Sequence, residues 1–197
     1  IDRARDGGVD QVVFLSVAGA EKNSLVPHAG VEKHLMGGDG AYTILRPGFF
    51  AQNLQDAYLE DIRRGDRIFV PAGRGRVAFV DLRDVAAVAV KAMAEPDAHA
   101  REAYTLTGPE AVDFEHVAMV LSEALGRRIR YRPASIPGYM AHLRRRRMPW
   151  GQVLVQTTLH ALLRMGNAAS VDPTLASLLD RPPRTIAEYV HDHVHLW

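Results

Sequence analysis

Cysteine is absent from the 197 residues, which excludes disulfides, zinc–thiolate sites, iron–sulfur clusters and thiol catalysis. An excess of either charge is missing too: 24 Lys+Arg face 23 Asp+Glu, a formal net charge of +1. A general nucleic-acid binder shows a basic excess, so that partner class is set aside. No apolar run approaches the ~18 residues of a membrane span, and no charged-then-apolar leader is read at the start. The expectation is a cytoplasmic protein with a small-molecule partner and neither membrane nor nucleic acid. Lysine is scarce, confined to Lys22, Lys33 and Lys91. An initiating Met is also lacking, and Ile1 opens a helix-like stretch, IDRARDGG. What is present is ordinary for a globular chain with a sizeable core, at 47% hydrophobic and 24% charged residues.

The hydrophobic pattern alternates between short apolar runs and amphipathic stretches. Gln11–Ser16 and Tyr42–Leu45 read as strands buried on both faces. Between them lie a loop, Val17–Pro27, and a helix, Ala29–Met36, stopped by Gly37, Gly38 and Gly40. Phe49–Arg64 has helical periodicity, Arg67–Val70 and Arg76–Val80 are extended, and Gly73 and Gly75 suggest a hairpin-like turn. Asp81 caps a helix over Leu82–Ala94. A strand, Ala103–Leu106, a helix, Asp113–Leu125, and a short strand, Ile129–Arg132, follow. This strand–helix alternation predicts an α/β fold with a parallel sheet. From Pro133 onward helices dominate, at Pro137–Arg147, Pro149–Met165, Thr174–Leu179 and Thr185–Leu196. Residues 1–132 therefore read as one region and 133–197 as a small, mainly helical cap.

Candidate chemistry sits at the carboxyl ends of the strands, where doubly wound sheets bind ligands. Ser16 ends the first strand, where its hydroxyl either meets a ligand oxygen or bonds the local backbone. His28 opens the following helix. An imidazole there either positions a ribose or moves a proton near neutral pH, or is simply satisfied at a helix start, which spacing alone favours. Gln52 and Asn53 follow the turn Arg46-Pro47-Gly48-Phe49-Phe50, whose backbone and rings suit the wall of a flat ligand or a core-lined helix start. No G-x-G-x-x-G stands between a strand and a helix, and no P-loop pattern occurs. Arg144–Arg147 reads as a solvated helix end. His191 and His195 share a helix face, but no third ligand is evident and no metal is expected.

These residues, in this order, resemble the NmrA-like group of atypical short-chain dehydrogenases. The resemblance rests on Val12-Val13-Phe14-Leu15-Ser16, His28-x-x-x-Glu32-Lys33, and Tyr42–Phe50 with Asn53. Phe79-Val80-Asp81-x-x-Asp84-Val85-Ala86, Tyr104–Pro109 and Arg181-Pro182-Pro183-Arg184-Thr185 complete it, from about Ile1 to Trp197. It implies a Rossmann-type sheet that binds NADP or NAD, with a substrate cleft beside C-terminal helices. Ser16 and Val17 would flank the nicotinamide ribose. Pro47, Gly48, Phe49 and Phe50 would border the ring, with His28 and Asn53 close by. Hydride transfer to a quinone-like or other small electrophile is the implied reaction, and the assembly is left open to a homodimer.

Two departures shape the expectation. The family's Tyr-x-x-x-Lys pair appears as Ser24-x-x-x-His28, so tyrosine's proton-donating role is unfilled. The glycine-rich opening half is not in these residues, so in the strand order 3-2-1-4-5-6 the chain is expected to start at the helix before the fifth strand. A nucleotide-sensing regulator without turnover and a cofactor-free remnant are the rival readings. The strand Val12–Leu15 is also expected to leave an open edge prone to self-association.

Overall fold

The computed structural model describes residues 1–24 and 26–197; Leu25, inside the expected loop Val17–Pro27, lies outside the described residues. The elements run α1 (Asp2–Asp6), β1 (Gln11–Leu15), α2 (Pro27–Gly37), β2 (Ala41–Pro47), α3 (Leu59–Gly65), β3 (Arg67–Ile68), α4 (Leu82–Ala94) and β4 (Glu102–Leu106). They continue with α5 (Phe114–Leu125), β5 (Arg130–Tyr131), α6 (Ile136–Arg145), α7 (Trp150–Arg164), α8 (Thr174–Leu179) and α9 (Ile186–Asp192). Two units interleave along the chain. The first comprises Ile1–Phe50, Val80–Pro109 and Asp172–Arg184; the second comprises Ala51–Phe79, Glu110–Val171 and Thr185–Trp197.

The first unit is built on a parallel sheet of order β1-β2-β4, with Val13 beside Thr43 and Leu45 beside Tyr104. Its two faces explain the near-continuous apolar runs. Val12 and Phe14 point to Leu35 and Val31 of α2, while Val13 packs with Leu45, Val85, Val88, Leu106 and Leu175. Alternate residues thus feed two cores, as a sheet covered on both sides requires. The buried Thr43 is satisfied on its strand, donating to the His99 carbonyl at 2.7 Å and accepting from Gln11 Nε2 at 2.9 Å. Asp81 caps α4, its carboxylate accepting from the Arg83 amide at 2.8 Å.

The expected helix over Phe49–Arg64 is corrected. Gly48 N–H donates to the Leu106 carbonyl at 2.8 Å and the Phe49 carbonyl accepts from Val80 at 3.0 Å. The backbone is therefore committed to sheet-like partners through Phe50, which bridges Val80 in parallel. Only then does the chain turn, through a 3-10 segment at Ala51–Leu54 and on to α3.

In the second unit β3 and β5 form a two-residue parallel ladder, and the pairing continues irregularly as Arg132 and Ala134 donate to the Ile68 and Val70 carbonyls. The turn at Gly73 and Gly75 does not close a hairpin: the residues after it pair instead at Val77–Val112. Gly75 lies so close to the Leu163 carbonyl that a Cβ would overlap it. Phe114, fully buried, meets Phe79 edge-on and stacks on Tyr131. Asp113 caps α5, Gly126 ends it in the left-handed region at φ 61°, and Thr185 with Glu188 forms a capping box on α9. That helix stops at Asp192 and a 3-10 turn, Val194–Leu196, follows, so His191 and His195 do not share a helix. His193 stacks on Tyr189 and bonds its carbonyl. The arginine run is only partly solvated: Arg144 lies over the Trp150 ring and Arg146 donates to the Ala57 carbonyl.

Candidate active site at the strand ends

The carboxyl ends of β1 and β2 meet through main-chain bonds that continue beyond the ladder. Ser16 N–H donates to the Leu45 carbonyl at 2.7 Å, and Ala18 N–H to the Pro47 carbonyl at 2.9 Å. Ser16, Val17, Pro47 and Gly48 are thereby held side by side on one rim. Phe49 follows on the same strand path, while Phe50 packs against the core formed by Leu45, Val80 and their neighbours. Asn53 belongs to the second unit, on the turn Ala51–Leu54, where its carbonyl accepts from Tyr58 N–H at 3.1 Å.

α2 brings the remaining groups. Pro27 fixes its first turn, and the four-residue spacing of His28 and Glu32 puts both on one helix face. Glu32 is buried at 3% exposure, and Ser16 at 2%. The Ser16 hydroxyl donates to Glu32 Oε1 at 2.5 Å. Arg46, from β2, clamps the same carboxylate, with Nε 3.1 Å from Oε1 and Nη2 2.6 Å from Oε2. Glu21 approaches Arg46 at 3.6 Å. Burial pushes the Glu32 carboxyl up, but the bonds from Arg46 and Ser16 outweigh it, so the group titrates below its ordinary value. Arg46 is held above its own by the same pairing. The imidazole of His28 adds a favourable charge interaction with Glu32, and its ring lies 6.1 Å from that of Phe14.

His28 Nδ1 is buried, and among the described residues nothing hydrogen-bonds to it. Leaving such a group empty costs about 1–3 kcal/mol, a cost that a ligand's polar group removes. A reduced nicotinamide offers ribose hydroxyls and a carboxamide, so the residues present fit that part of the cofactor. They include no glycine-rich cradle for its pyrophosphate.

Glu32 and Arg46 lie within the sequence motifs but carry no expected role in the site; the His28–Glu32 spacing is the available signal. Two networks went unread. Asp84, fully buried, accepts from Arg181 Nη2 at 2.7 Å, from the Arg184 amide at 2.7 Å and from the Arg184 guanidinium. In the second unit His160 Nδ1 donates to the Gln156 carbonyl at 2.6 Å, leaving Nε2 to accept from the Tyr58 hydroxyl at 2.5 Å. Burial holds His160 below its ordinary pKa, against a smaller opposing effect of the Gln156 carbonyl, and holds Tyr58 well above its own.

No protein-family model matches the chain. An NAD(P)H azoreductase of Xenophilus azovorans is 34% identical over 197 residues, which cover 98% of this chain and 68% of the relative. The chain belongs to the NmrA-like family of atypical short-chain dehydrogenases. An agroclavine dehydrogenase of Claviceps fusiformis is 30% identical over 202 residues, covering all of this NmrA-like chain and 69% of the relative. Among solved structures, an Escherichia coli NADPH-dependent quinone oxidoreductase complexed with NADPH superposes with a TM-score of 0.88 at 25% identity. That match covers 98% of this chain and 69% of the other. Citrobacter sp. triphenylmethane reductase, at 22% identity and a TM-score of 0.86, shares the fold. The α/β class and the Rossmann-type parallel sheet are those of this family. Among the described residues no helix is long and apolar enough to cross a membrane.

Proposed function

We propose that this NmrA-like chain serves NAD(P)H-dependent reduction of a quinone-like or other small electrophile. The observation that carries the proposal is the buried Nδ1 of His28, without a partner among the described residues, beside a rim where Ser16 is held by Glu32. Bound reduced nicotinamide supplies the hydride, and with it two electrons and one proton. Ser16 and Val17 hold its ribose, and Pro47, Gly48, Phe49 and Phe50 border the ring. His28 delivers the second proton to the reduced acceptor, with water as the other source. NADP and NAD are both retained, a homodimer is admitted, and the cytoplasm is the proposed location.

The test is a turnover assay with NADPH and NADH against a panel of quinones, azo dyes and triphenylmethane dyes. The expected result is nicotinamide oxidation matched by acceptor reduction. In His28→Ala nucleotide binding should weaken by about tenfold, the scale of one lost hydrogen bond, while turnover persists with water as the proton source. Binding of the nucleotide with no reduction across the panel overturns the proposal. It would favour the second reading, a regulator that senses nucleotide redox state, which the Ser24-x-x-x-His28 replacement supports. Unequal affinity for oxidised and reduced cofactor is its signature.

A further inference from the structure

A serine hydroxyl has one proton and two lone pairs, an ionised carboxylate has no proton to give, and a guanidinium cannot accept one. These rules fix direction within the buried trio. Arg46 donates twice to Glu32, so the short contact between Ser16 and Glu32 is satisfied only with Ser16 as donor. Ser16 is 2% exposed, so water competes little with Glu32 for its hydroxyl proton. Its main-chain N–H is already spent on the Leu45 carbonyl. We infer that Glu32 is a positioning residue that sets the polarity of the rim: with its one proton committed to Glu32, Ser16 meets a ligand as a hydrogen-bond acceptor only.

The consequence is specific. Ser16 gives no hydrogen bond to a substrate carbonyl or to the negative charge that develops on it. The group that touches Ser16 must itself be a donor, and on the nicotinamide side that means a ribose hydroxyl or the carboxamide N–H. This second step rests on the nicotinamide reading above; the polarity of Ser16 does not.

Two measurements on the chain separate the steps. In protein labelled with ¹³C-serine, NMR should show the Ser16 hydroxyl proton in slow exchange with water. Loss of the charge-assisted acceptor in Glu32→Ala should speed that exchange by about tenfold or more. Glu32→Gln, which keeps the side-chain shape, should move it in the same direction. A hydroxyl that exchanges as fast in the parent as in both variants overturns the polarity assignment, whatever binds.

The second measurement is titration with reduced nicotinamide mononucleotide, its deamido analogue and its deoxyribose analogue. One analogue should bind about tenfold more weakly than the parent compound, the scale of one lost hydrogen bond. That penalty should vanish in Ser16→Ala. A penalty on the deamido form identifies the carboxamide, and one on the deoxy form the ribose. Equal binding of all three, or a penalty that survives in Ser16→Ala, overturns the donor-to-Ser16 contact. A slow hydroxyl with no binding of the parent mononucleotide supports the polarity assignment and overturns the cofactor reading instead.

Discussion

The Asp84 strap offers the sharpest energetic test. Asp84 stands in the first turn of α4 with its side chain fully buried, and Arg181 and Arg184 reach it from nearly a hundred residues away. The two arginine side chains are 40% and 32% exposed. That asymmetry decides the magnitudes. In Asp84→Ala the freed guanidiniums turn to water at small cost, since exposed ion pairs contribute only ~0–1 kcal/mol. The Arg184 amide then loses its acceptor, worth about 1–3 kcal/mol. The expected total is roughly 1–4 kcal/mol, the two exposed pairs together counted at ~0–1. The reverse perturbation should cost more. Arg181→Ala with Arg184→Ala leaves a carboxylate in the interior with one amide for company, a situation that costs about 3–5 kcal/mol.

Urea unfolding with linear extrapolation measures both. In thermal melts each kcal/mol should move the midpoint by about 2–4 °C for a chain of this size. Three outcomes matter: Asp84→Ala below the parent, the double arginine variant lower still, and the triple variant close to Asp84→Ala. If the double arginine variant is as stable as the parent, the carboxylate is not desolvated where it sits, and the reasoning fails. A triple variant that falls by the sum of the other two losses would also refute it, because groups in one network cannot act independently.

Other expectations follow from the same geometry. Burial keeps His160 below the ordinary imidazole value of about 6.5, so above that pH neither folded nor unfolded chain protonates it, while below it the unfolded chain binds a proton the folded one refuses. Stability should therefore fall with pH below 6.5, by up to ~1.4 kcal/mol per pH unit from this group. Chemical unfolding should show a shallower acid loss in His160→Gln; equal slopes would refute the assignment. Gly75→Ala should destabilise by about 1–3 kcal/mol or more through overlap with the Leu163 carbonyl, and a melt unchanged from the parent would show that the turn yields. Among the described residues β1 pairs only with β2, and Leu15 is 48% exposed. The chain should self-associate with rising concentration in light scattering, and Leu15→Lys should reduce it; a monodisperse parent monomer contradicts this.

The strands and most helices of the first unit were legible because their cause is local. Gln11–Leu15, Ala41–Pro47 and Glu102–Leu106 are apolar on both faces because both faces are covered. Leu82–Ala94 was read with its observed bounds, since Asp81 caps it and its apolar stripe has helical period. Phe49–Arg64 was misread for a nonlocal reason: its periodicity is genuine, but Gly48 and Phe49 answer to Leu106 and Val80, which lie far along the chain. The site shows the same division. Ser16, His28 and the Pro47–Gly48 turn could be placed at strand ends from order alone. Glu32 could not, because its role depends on Arg46 arriving from the next strand. Asp84 and the Arg181–Arg184 segment were both noticed as motifs, yet nothing in either names the other.

On the proposed reading, the polarity of the rim bears on which acceptors suit it. A ketone that receives hydride becomes a localised alkoxide, and it needs a donor on its oxygen while the charge forms. The family's tyrosine serves that need, and position 24 is serine here. Ser16 does not replace it if its only proton rests on Glu32. A quinone or an extended dye spreads the arriving charge over a conjugated system, so its proton can come after the hydride, from His28 or from water. On that reading the buried trio would do more than brace the strand ends: withholding the serine proton would bias the site against simple carbonyls and toward acceptors that carry their own charge delocalisation. A ketone reduced as fast as a quinone of matched reduction potential would overturn that step, and restoring tyrosine as Ser24→Tyr should narrow the gap.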